Sequence, residues 1–176
     1  TRRTKSIIPV SLYGQCADMD AINAVAEQYG LAVIEDAAQS FGSSYKGRKS
    51  CNLSRIACTS FFPSKPLGCY GDGGALFTND DYLADLIRSY RLHGKGQDKY
   101  DNVRIGMNSR LDTIQAAILL EKLKAFPEDL RRRNVTADRY GLELPEFCQL
   151  PVVPAGFASA WAQYTIRSDR RDWIIA

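Results

Sequence analysis

The order of the first apolar runs restricts the fold more than any other feature of the sequence. Residues 7–10 read as a short strand. Residues 18–30 follow with apolar positions at helical spacing, between Asp18, which can cap a helix, and Gly30, which can end one. Residues 31–34 then form an apolar run without polar alternation, which is typical of a strand covered on both faces. A strand, a helix and a second strand in this order predict a parallel crossover and an α/β fold. The apolar face of the predicted helix consists of Ile22, Val25, Ala26 and Tyr29.

Strands and helices continue to alternate beyond this unit. Residues 43–53 are polar and rich in turn formers, which predicts a surface hairpin or loop. Residues 56–62 and 74–78 read as further strands. Asn79 or Asp80 can cap the helix that follows the second of them. The pattern therefore predicts helices packed on a sheet that extends over the first part of the chain.

The next segment predicts two helices separated by a proline. Residues 109–112 have the form of a capping box, and the apolar spacing behind them predicts a helix to about Lys124. Pro127 is expected to open a separate helix that runs towards Tyr140, because proline is favoured in a first helical turn.

A change of domain is expected near residue 144. Prolines and glycines, beginning with Pro145, interrupt the pattern there, and residues 163–167 read as a strand of a new unit. The sequence predicts a large domain over residues 1–144 and the start of a smaller one over residues 145–176.

The charge and cysteine content exclude several classes of protein. A net charge of +3, from 23 basic and 20 acidic residues, is too small and too evenly spread for a nucleic-acid binder, although it suits an anionic small molecule. Five cysteines without a C-x-x-C pair, with one histidine, predict no metal site and favour a reduced, cytoplasmic compartment. No apolar run reaches the length of a membrane span. Because the chain begins at Thr1 rather than methionine, we expect a piece of a longer protein.

Lys65 lies in a segment that cannot form regular structure. It follows the predicted strand at residues 56–62 and stands between Pro63 and Pro66, with several glycines behind. Backbone forced into turns at a strand end is a usual place for a catalytic group. A partly desolvated lysine loses its proton easily enough to act as an amine nucleophile.

Two further polar residues come at the ends of predicted strands. Asp36 follows the apolar run at residues 31–34, at the carboxyl end where open α/β sheets bind their ligands, and Ser60 lies near the end of another strand. Taken singly, Asp36 suits a helix cap, Ser60 a buried hydroxyl and Lys65 a solvated amine. Together, an amine, a carboxylate and a hydroxyl are the groups that a pyridoxal phosphate enzyme needs.

The glycines at residues 71–74 suggest a phosphate loop, but they match neither common form of it. The segment lacks the Gly-Lys-Ser/Thr ending of a P-loop, and Leu76 replaces the third glycine of a dinucleotide fingerprint. A tight turn between strands explains these glycines more simply. A nucleotide-binding α/β domain remains a distant alternative, which nucleotide titration would distinguish.

Several motifs of the chain resemble those of the pyridoxal phosphate-dependent sugar aminotransferases of the DegT/DnrJ/EryC1/StrS family. They occur in the family's order and are Asp36-Ala37-Ala38-Gln39, Ser60-Phe61-Phe62-Pro63-Ser64-Lys65-Pro66-Leu67-Gly68, Gly71-Asp72-Gly73-Gly74-Ala75 and Gly106-Met107-Asn108-Ser109-Arg110-Leu111-Asp112. The resemblance implies the three-layer mixed sheet of a fold type I large domain, incomplete here, with the start of the small C-terminal domain. Since full members are considerably longer, it also implies a fragment.

The resemblance assigns roles to five residues. It implies that Lys65 holds pyridoxal 5'-phosphate as a Schiff base and that Asp36 pairs with the pyridine nitrogen. Gln39 would lie by the ring and its phenolic oxygen, and Ser60 would bind the phosphate. Asn108 would reach the cofactor phosphate of the neighbouring subunit, which implies a homodimer with shared active sites. Lys65 stands where the family's sugar dehydratases carry histidine, so transamination is favoured over dehydration.

The resemblance also implies a reaction, namely transfer of an amino group from an amino acid, by resemblance glutamate, to a nucleotide-linked keto sugar. Residues 66–68 and the Cys69-Tyr70 pair resemble members that aminate C3 of UDP-linked acetamido sugars for surface polysaccharides, while other members make antibiotic sugars. The alternative is a truncated, non-catalytic remnant of the same fold that dimerises without binding cofactor.

Overall fold

The structure is a computed structural model that describes residues 1–98, 100–144 and 146–175. In chain order, its strands are β1 (Ser6–Ile7), β2 (Ala32–Asp36), β3 (Ser44–Tyr45), β4 (Arg48–Lys49), β5 (Ile56–Ser60), β6 (Gly74–Phe77) and β7 (Phe157–Ala158). Its helices are α1 (Met19–Gln28), α2 (Asp81–Arg91), α3 (Thr113–Glu143) and α4 (Arg171–Ile175), and a short 3-10 helix spans Leu12–Gly14. Pro145 and Ala176, which we assign to the second domain from the sequence, lie outside the described residues.

The central sheet is mixed. Within the described ranges its strand order is β1-β2-β5-β6, with β1, β2 and β5 parallel and β6 antiparallel to β5. Helix α1 connects β1 to β2, which confirms the predicted crossover and the α/β fold. The first strand is shorter than predicted, because beyond Ile7 only Val10 pairs again, as a single bridge to Asp36.

The predicted caps of the first two helices are confirmed. The Asp18 carboxylate accepts a hydrogen bond from the Ala21 amide at 3.4 Å, at the start of α1. Gly30 follows the end of this helix with a φ of +61°, which a residue without a Cβ adopts without strain. Asp80, rather than Asn79, caps α2 and accepts from the Leu83 amide at 3.0 Å.

The predicted apolar face of α1 is only half correct. Ile22 and Ala26 pack into the core under β2, and Met19, which the prediction left out, is fully buried beside them. Val25 and Tyr29 lie one stripe further around the helix and are 48% and 66% exposed. The helical spacing identified the period, but it could not decide which of two adjacent stripes meets the sheet.

Strands β3 and β4 form the predicted hairpin, but the hairpin is not simply a surface feature. Tyr45 on β3 is fully buried, donates its hydroxyl to Asp18 at 2.6 Å and packs edge-on against Phe157 with 4.8 Å between ring centroids. β7 pairs with β3 on the side away from β4. The sequence did not reveal β7, because a two-residue strand has no recognisable period.

The prediction of two helices around Pro127 is wrong, since α3 continues through it. A proline in a helix interior removes the hydrogen bond to the carbonyl four residues earlier, here that of Leu123, and costs roughly 3 kcal/mol. The adjacent Phe126 offsets this cost because it is buried in one cluster with Leu119 and lies 5.5 Å from the Phe41 ring. Tertiary packing therefore overrides the local signal.

The start of α3 also differs from the prediction. Asp112 occupies the N-cap position and makes no capping hydrogen bond through its side chain, and Ser109 lies outside the helix. Ser109 is bound instead to the end of α2, because its amide donates to the Arg91 carbonyl at 3.0 Å.

The region around the predicted domain boundary is partly described. Helix α3 ends at Glu143. The prediction of a strand at residues 163–167 is wrong, because this segment forms only a single antiparallel bridge, between Arg167 and Gln149. The division at residue 144 stays a prediction. In the described part of the chain, no helix is long and apolar enough to span a bilayer.

Candidate functional site

Asp36 and Ser60 lie at the same edge of the sheet. Each is the last residue of its strand, β2 and β5 respectively, and these strands are parallel neighbours. Asp36 pairs in register with Cys58, and Ser60 lies two residues further along. Because side chains alternate along a strand, Asp36, Cys58 and Ser60 project from one face. All three are half-buried, so this face is partly accessible.

Asp36 is fixed by both its backbone and its side chain. Its amide donates to the Pro9 carbonyl at 2.9 Å, and its carbonyl accepts from the Ser11 amide at 3.0 Å. One carboxylate oxygen, Oδ1, accepts from the Ala38 amide at 3.0 Å. Among the described residues, no hydrogen bond engages Oδ2, so this oxygen can accept a hydrogen bond from a ligand.

Lys65 lies in a loop that is closed by hydrogen bonds at its base. The Phe61 amide donates to the Gly73 carbonyl, and the Cys69 amide returns to the Phe61 carbonyl, both at 2.8 Å. The Lys65 amide itself donates to the Phe62 carbonyl at 2.9 Å, which makes a turn directly after β5. Lys65 is half-buried, and over the described ranges no hydrogen bond or ion pair engages its Nζ. The loop thus presents an unpaired amine on fixed backbone.

Gly68 is required by the tightness of this loop. A Cβ at this position would lie 2.6 Å from the Pro63 carbonyl oxygen and 2.7 Å from that of Phe62, and backbone atoms cannot yield as a flexible side chain can. The loop can therefore close only with glycine at residue 68.

The side-chain oxygens of Gln39 and Ser60 each accept a hydrogen bond from a backbone amide. Gln39 lies in the turn after β2, where its Oε1 accepts from the Tyr13 amide at 2.8 Å. Ser60 Oγ accepts from the Phe62 amide at 3.2 Å. No acceptor among the described residues engages the Ser60 hydroxyl hydrogen, so it can donate to an anion such as a phosphate.

Asn108 is not joined to the other four predicted residues by any hydrogen bond in the described part of the chain. It bridges Leu92 at the end of α2, its side chain is exposed, and its Oδ1 accepts from Arg110 Nε at 3.1 Å. Asp36 and Ser60 thus end neighbouring strands, Lys65 lies in the loop that follows β5, and Asn108 lies on an exposed connection.

Glu35, which was not predicted as a site residue, supports this edge from the opposite face of β2. Glu35 is fully buried, and its Oε1 accepts from Ser50 Oγ and the Cys51 amide, both at 3.0 Å. Its Oε2 accepts from the Leu53 amide at 3.1 Å. Ser50 in turn shares a hydrogen bond of 2.7 Å with Ser40. The available signal was a second acidic residue, next to Asp36, at the end of the apolar run at residues 31–34.

The cysteines next to this network are free thiols. Burial, with the Glu35 charge as a second cause, raises the pKa of Cys51 to about 12. Burial also raises the pKa of Cys16. These two thiols therefore stay protonated at neutral pH and behave as core residues rather than as nucleophiles.

Replacement of Glu35 by glutamine tests the importance of this network. We expect Glu35→Gln to lower the free energy of unfolding by about 3 kcal/mol, because the amide group of glutamine must face an N–H donor that the carboxylate accepted from. Urea denaturation of the purified protein measures the change, with Glu27→Gln on the exposed side of α1 as the control. Equal denaturation midpoints for both variants would contradict the role given to Glu35.

Comparison with known proteins gives consistent matches over the whole chain. The sequence profile of the DegT/DnrJ/EryC1/StrS aminotransferase family matches residues 1–175. The UDP-2-acetamido-2-deoxy-3-oxo-D-glucuronate aminotransferase of Pseudomonas aeruginosa is 60% identical over 177 aligned positions, which cover 100% of this chain and 49% of that protein.

Two solved structures superpose closely. A DegT DnrJ EryC1 StrS aminotransferase from Brucella abortus has a TM-score of 0.94 and 54% identity, over 97% of this chain and 46% of that one. NtdA from Bacillus subtilis with bound cofactor PMP has a TM-score of 0.86 and 33% identity, over 99% of this chain and 40% of that one. This chain spans about half or less of the length of each of these three proteins.

Proposed function

Because the chain belongs to the DegT/DnrJ/EryC1/StrS aminotransferase family, we propose that it carries the lysine-bearing part of the active site of a pyridoxal phosphate-dependent sugar aminotransferase. It has the mixed α/β fold of the fold type I transferases. The observation that supports this function most directly is Lys65, an unpaired amine on a closed loop beyond β5, at the sheet edge that also carries Asp36 and Ser60.

The chemistry of these residues fits pyridoxal 5'-phosphate. The Lys65 amine can react with the aldehyde of the cofactor. The Asp36 carboxylate has a free oxygen that can bind the ring nitrogen, and the Ser60 hydroxyl can donate a hydrogen bond to the phosphate. Once bound, the cofactor would supply an aldehyde that takes up amino groups and a ring that accepts the electrons of a substrate C–H bond.

Each residue has a separate task in this proposal. Lys65 Nζ would hold the cofactor covalently and, once released from it, would move a proton to and from the substrate carbon. Asp36 Oδ2 would keep the ring nitrogen protonated. Ser60 would donate its hydroxyl to the phosphate, and Gln39 would lie by the ring. Asn108, on an exposed connection, is assigned to the phosphate of the neighbouring subunit, which makes the working protein a homodimer.

The substrate assignment follows the relatives. We assign glutamate as the amino donor and a nucleotide-linked keto sugar as the acceptor. The Pseudomonas relative is named for a UDP-linked 3-oxo acetamido sugar, which supports amination at C3. We assign the reaction to the biosynthesis of a surface polysaccharide or of an antibiotic sugar. We further assign the protein to the cytoplasm, which suits its free thiols, and divide it at residue 144 into a large domain and the start of a small one.

The alternative of a non-catalytic remnant is not favoured. Such a remnant would not need the features that a cofactor site requires. In this chain Lys65 is unpaired among the described residues, Asp36 keeps a free carboxylate oxygen, and Gly68 allows the loop to close.

Borohydride trapping tests the proposal. Purified protein mixed with pyridoxal phosphate is expected to turn yellow, and reduction should fix a pyridoxyl group on Lys65, which peptide mass spectrometry locates. Lys46, an exposed lysine in an ion pair with Asp20, serves as the internal control and should stay unlabelled. The experiment is run on the 176-residue chain and on the complete gene product. Labelling elsewhere, or none in the complete product, would refute the proposal.

A further inference from the structure

Helix α3 is hydrogen-bonded to the loop that carries Lys65. Gln115 Oε1 accepts from the Tyr70 amide at 2.8 Å. Lys122 Nζ donates to the Gly68 carbonyl and also lies 5.4 Å from the centroid of the Tyr70 ring. The two helix residues are seven positions apart, which places them two turns apart on one face of α3. They therefore hold the loop at points on either side of Cys69.

The surface between these two polar contacts is apolar and buried. Leu119 lies between Gln115 and Lys122 on the same face of α3 and belongs to one cluster with Phe61, Leu67 and Cys69. Leu119 is 7% exposed and Leu67 is 4% exposed. The helix thus meets the loop through one apolar contact flanked by two directional hydrogen bonds.

The loop groups that α3 binds belong to no strand or helix. The Gly68 carbonyl and the Tyr70 amide lie between β5 and β6, so α3 provides the partners that regular structure would otherwise supply. Only Pro66 and Leu67 separate Lys65 from Gly68, and the proline ring fixes one backbone torsion of that short link. A displacement at Gly68 must therefore move Lys65.

We infer that Gln115 and Lys122 are positioning residues for Lys65. By fixing the backbone at Gly68 and Tyr70, they hold the Lys65 amine at the sheet edge in one orientation. This inference rests on the proposed function for the role of Lys65 towards the cofactor. The ordering of the loop by α3 is independent of that role, and it can be measured without cofactor.

Hydrogen exchange measures the ordering directly. In the complete gene product without cofactor, Gln115→Ala and Lys122→Ala should each speed amide exchange in the peptide that contains residues 65–70 by about tenfold, which corresponds to the loss of one hydrogen bond. Lys124→Ala is the matched control, since Lys124 lies on α3 in an exposed ion pair with Glu121. Gln115→Glu keeps an acceptor oxygen and should restore slow exchange.

The consequence for Lys65 is measured with pyridoxal phosphate. Gln115→Ala and Lys122→Ala should release the cofactor roughly tenfold faster and shift the pH midpoint of its visible absorption, whereas Lys124→Ala and Gln115→Glu should match the parent. If the parent protein is labelled at Lys65 while both alanine variants match it in exchange and release, the inference is wrong. If exchange responds as expected but the parent is never labelled, the proposed function fails and only the ordering of the loop by α3 stands.

Discussion

Replacement of Lys65 by alanine is expected to abolish covalent attachment of pyridoxal phosphate and to lower the rate of amino transfer by about 10⁴-fold. A loss of this size is the largest that removal of a general base usually causes. We expect the largest loss because the same amine also holds the cofactor. Its side chain makes no hydrogen bond among the described residues, so the fold should be retained. Stopped-flow absorbance of the half-reaction with glutamate gives the rate.

Two control variants separate a chemical effect from a structural one. Lys49→Ala removes an exposed lysine of β4 and should leave the rate unchanged. Lys65→Arg keeps the charge and most of the length but cannot hold the cofactor, so it should be as inactive as Lys65→Ala. If Lys65→Ala kept more than about 1% of the parent rate, the lysine would not be the base.

Replacement of Asp36 by asparagine should lower the rate by about 10³-fold, which corresponds to about 4 kcal/mol of transition-state stabilisation. Asparagine keeps an oxygen for the Ala38 amide, so the turn after β2 should remain. It removes the negative charge that keeps a ring nitrogen protonated, and the ring then accepts electrons less readily.

The same half-reaction measures this effect, with Asp85→Asn as the control, because Asp85 is an exposed residue of α2 paired with Arg88. The cofactor should still attach to Lys65 in Asp36→Asn, so borohydride labelling should persist while the rate falls. Equal rates for Asp36→Asn and the parent would show that the carboxylate has no part in the reaction.

The sequence predicted those parts of the site that depend on local pattern. The runs predicted as strands at residues 31–34 and 56–62 are both strands, observed as Ala32–Asp36 and Ile56–Ser60, so the second ends two residues earlier than predicted. The cap at Asp18 is confirmed for the same reason, since it depends on neighbouring residues alone.

The features that the sequence did not predict depend on contacts between distant residues. Helix α3 passes through Pro127 because Phe126 packs against Phe41, which is far away in the chain. Glu35 looked like part of a strand end, and its donors come from a loop more than a dozen residues later. Hydrophobic period and turn chemistry carry no information about such pairings.

The continuity of α3 has a mechanical consequence. Its 31 residues extend over about 46 Å. The first half binds the Lys65 loop, and in the second half Arg133 donates to the Trp161 carbonyl at 2.9 Å. The segment leading to Trp161 is bound to Gly14, since the Ala160 amide donates to the Gly14 carbonyl at 2.7 Å.

Gly14 adjoins Tyr13, whose amide is bound to Gln39. One helix is therefore linked by hydrogen bonds to both sides of the site: directly to the loop that carries Lys65, and through Trp161 and Gly14 to the turn after β2.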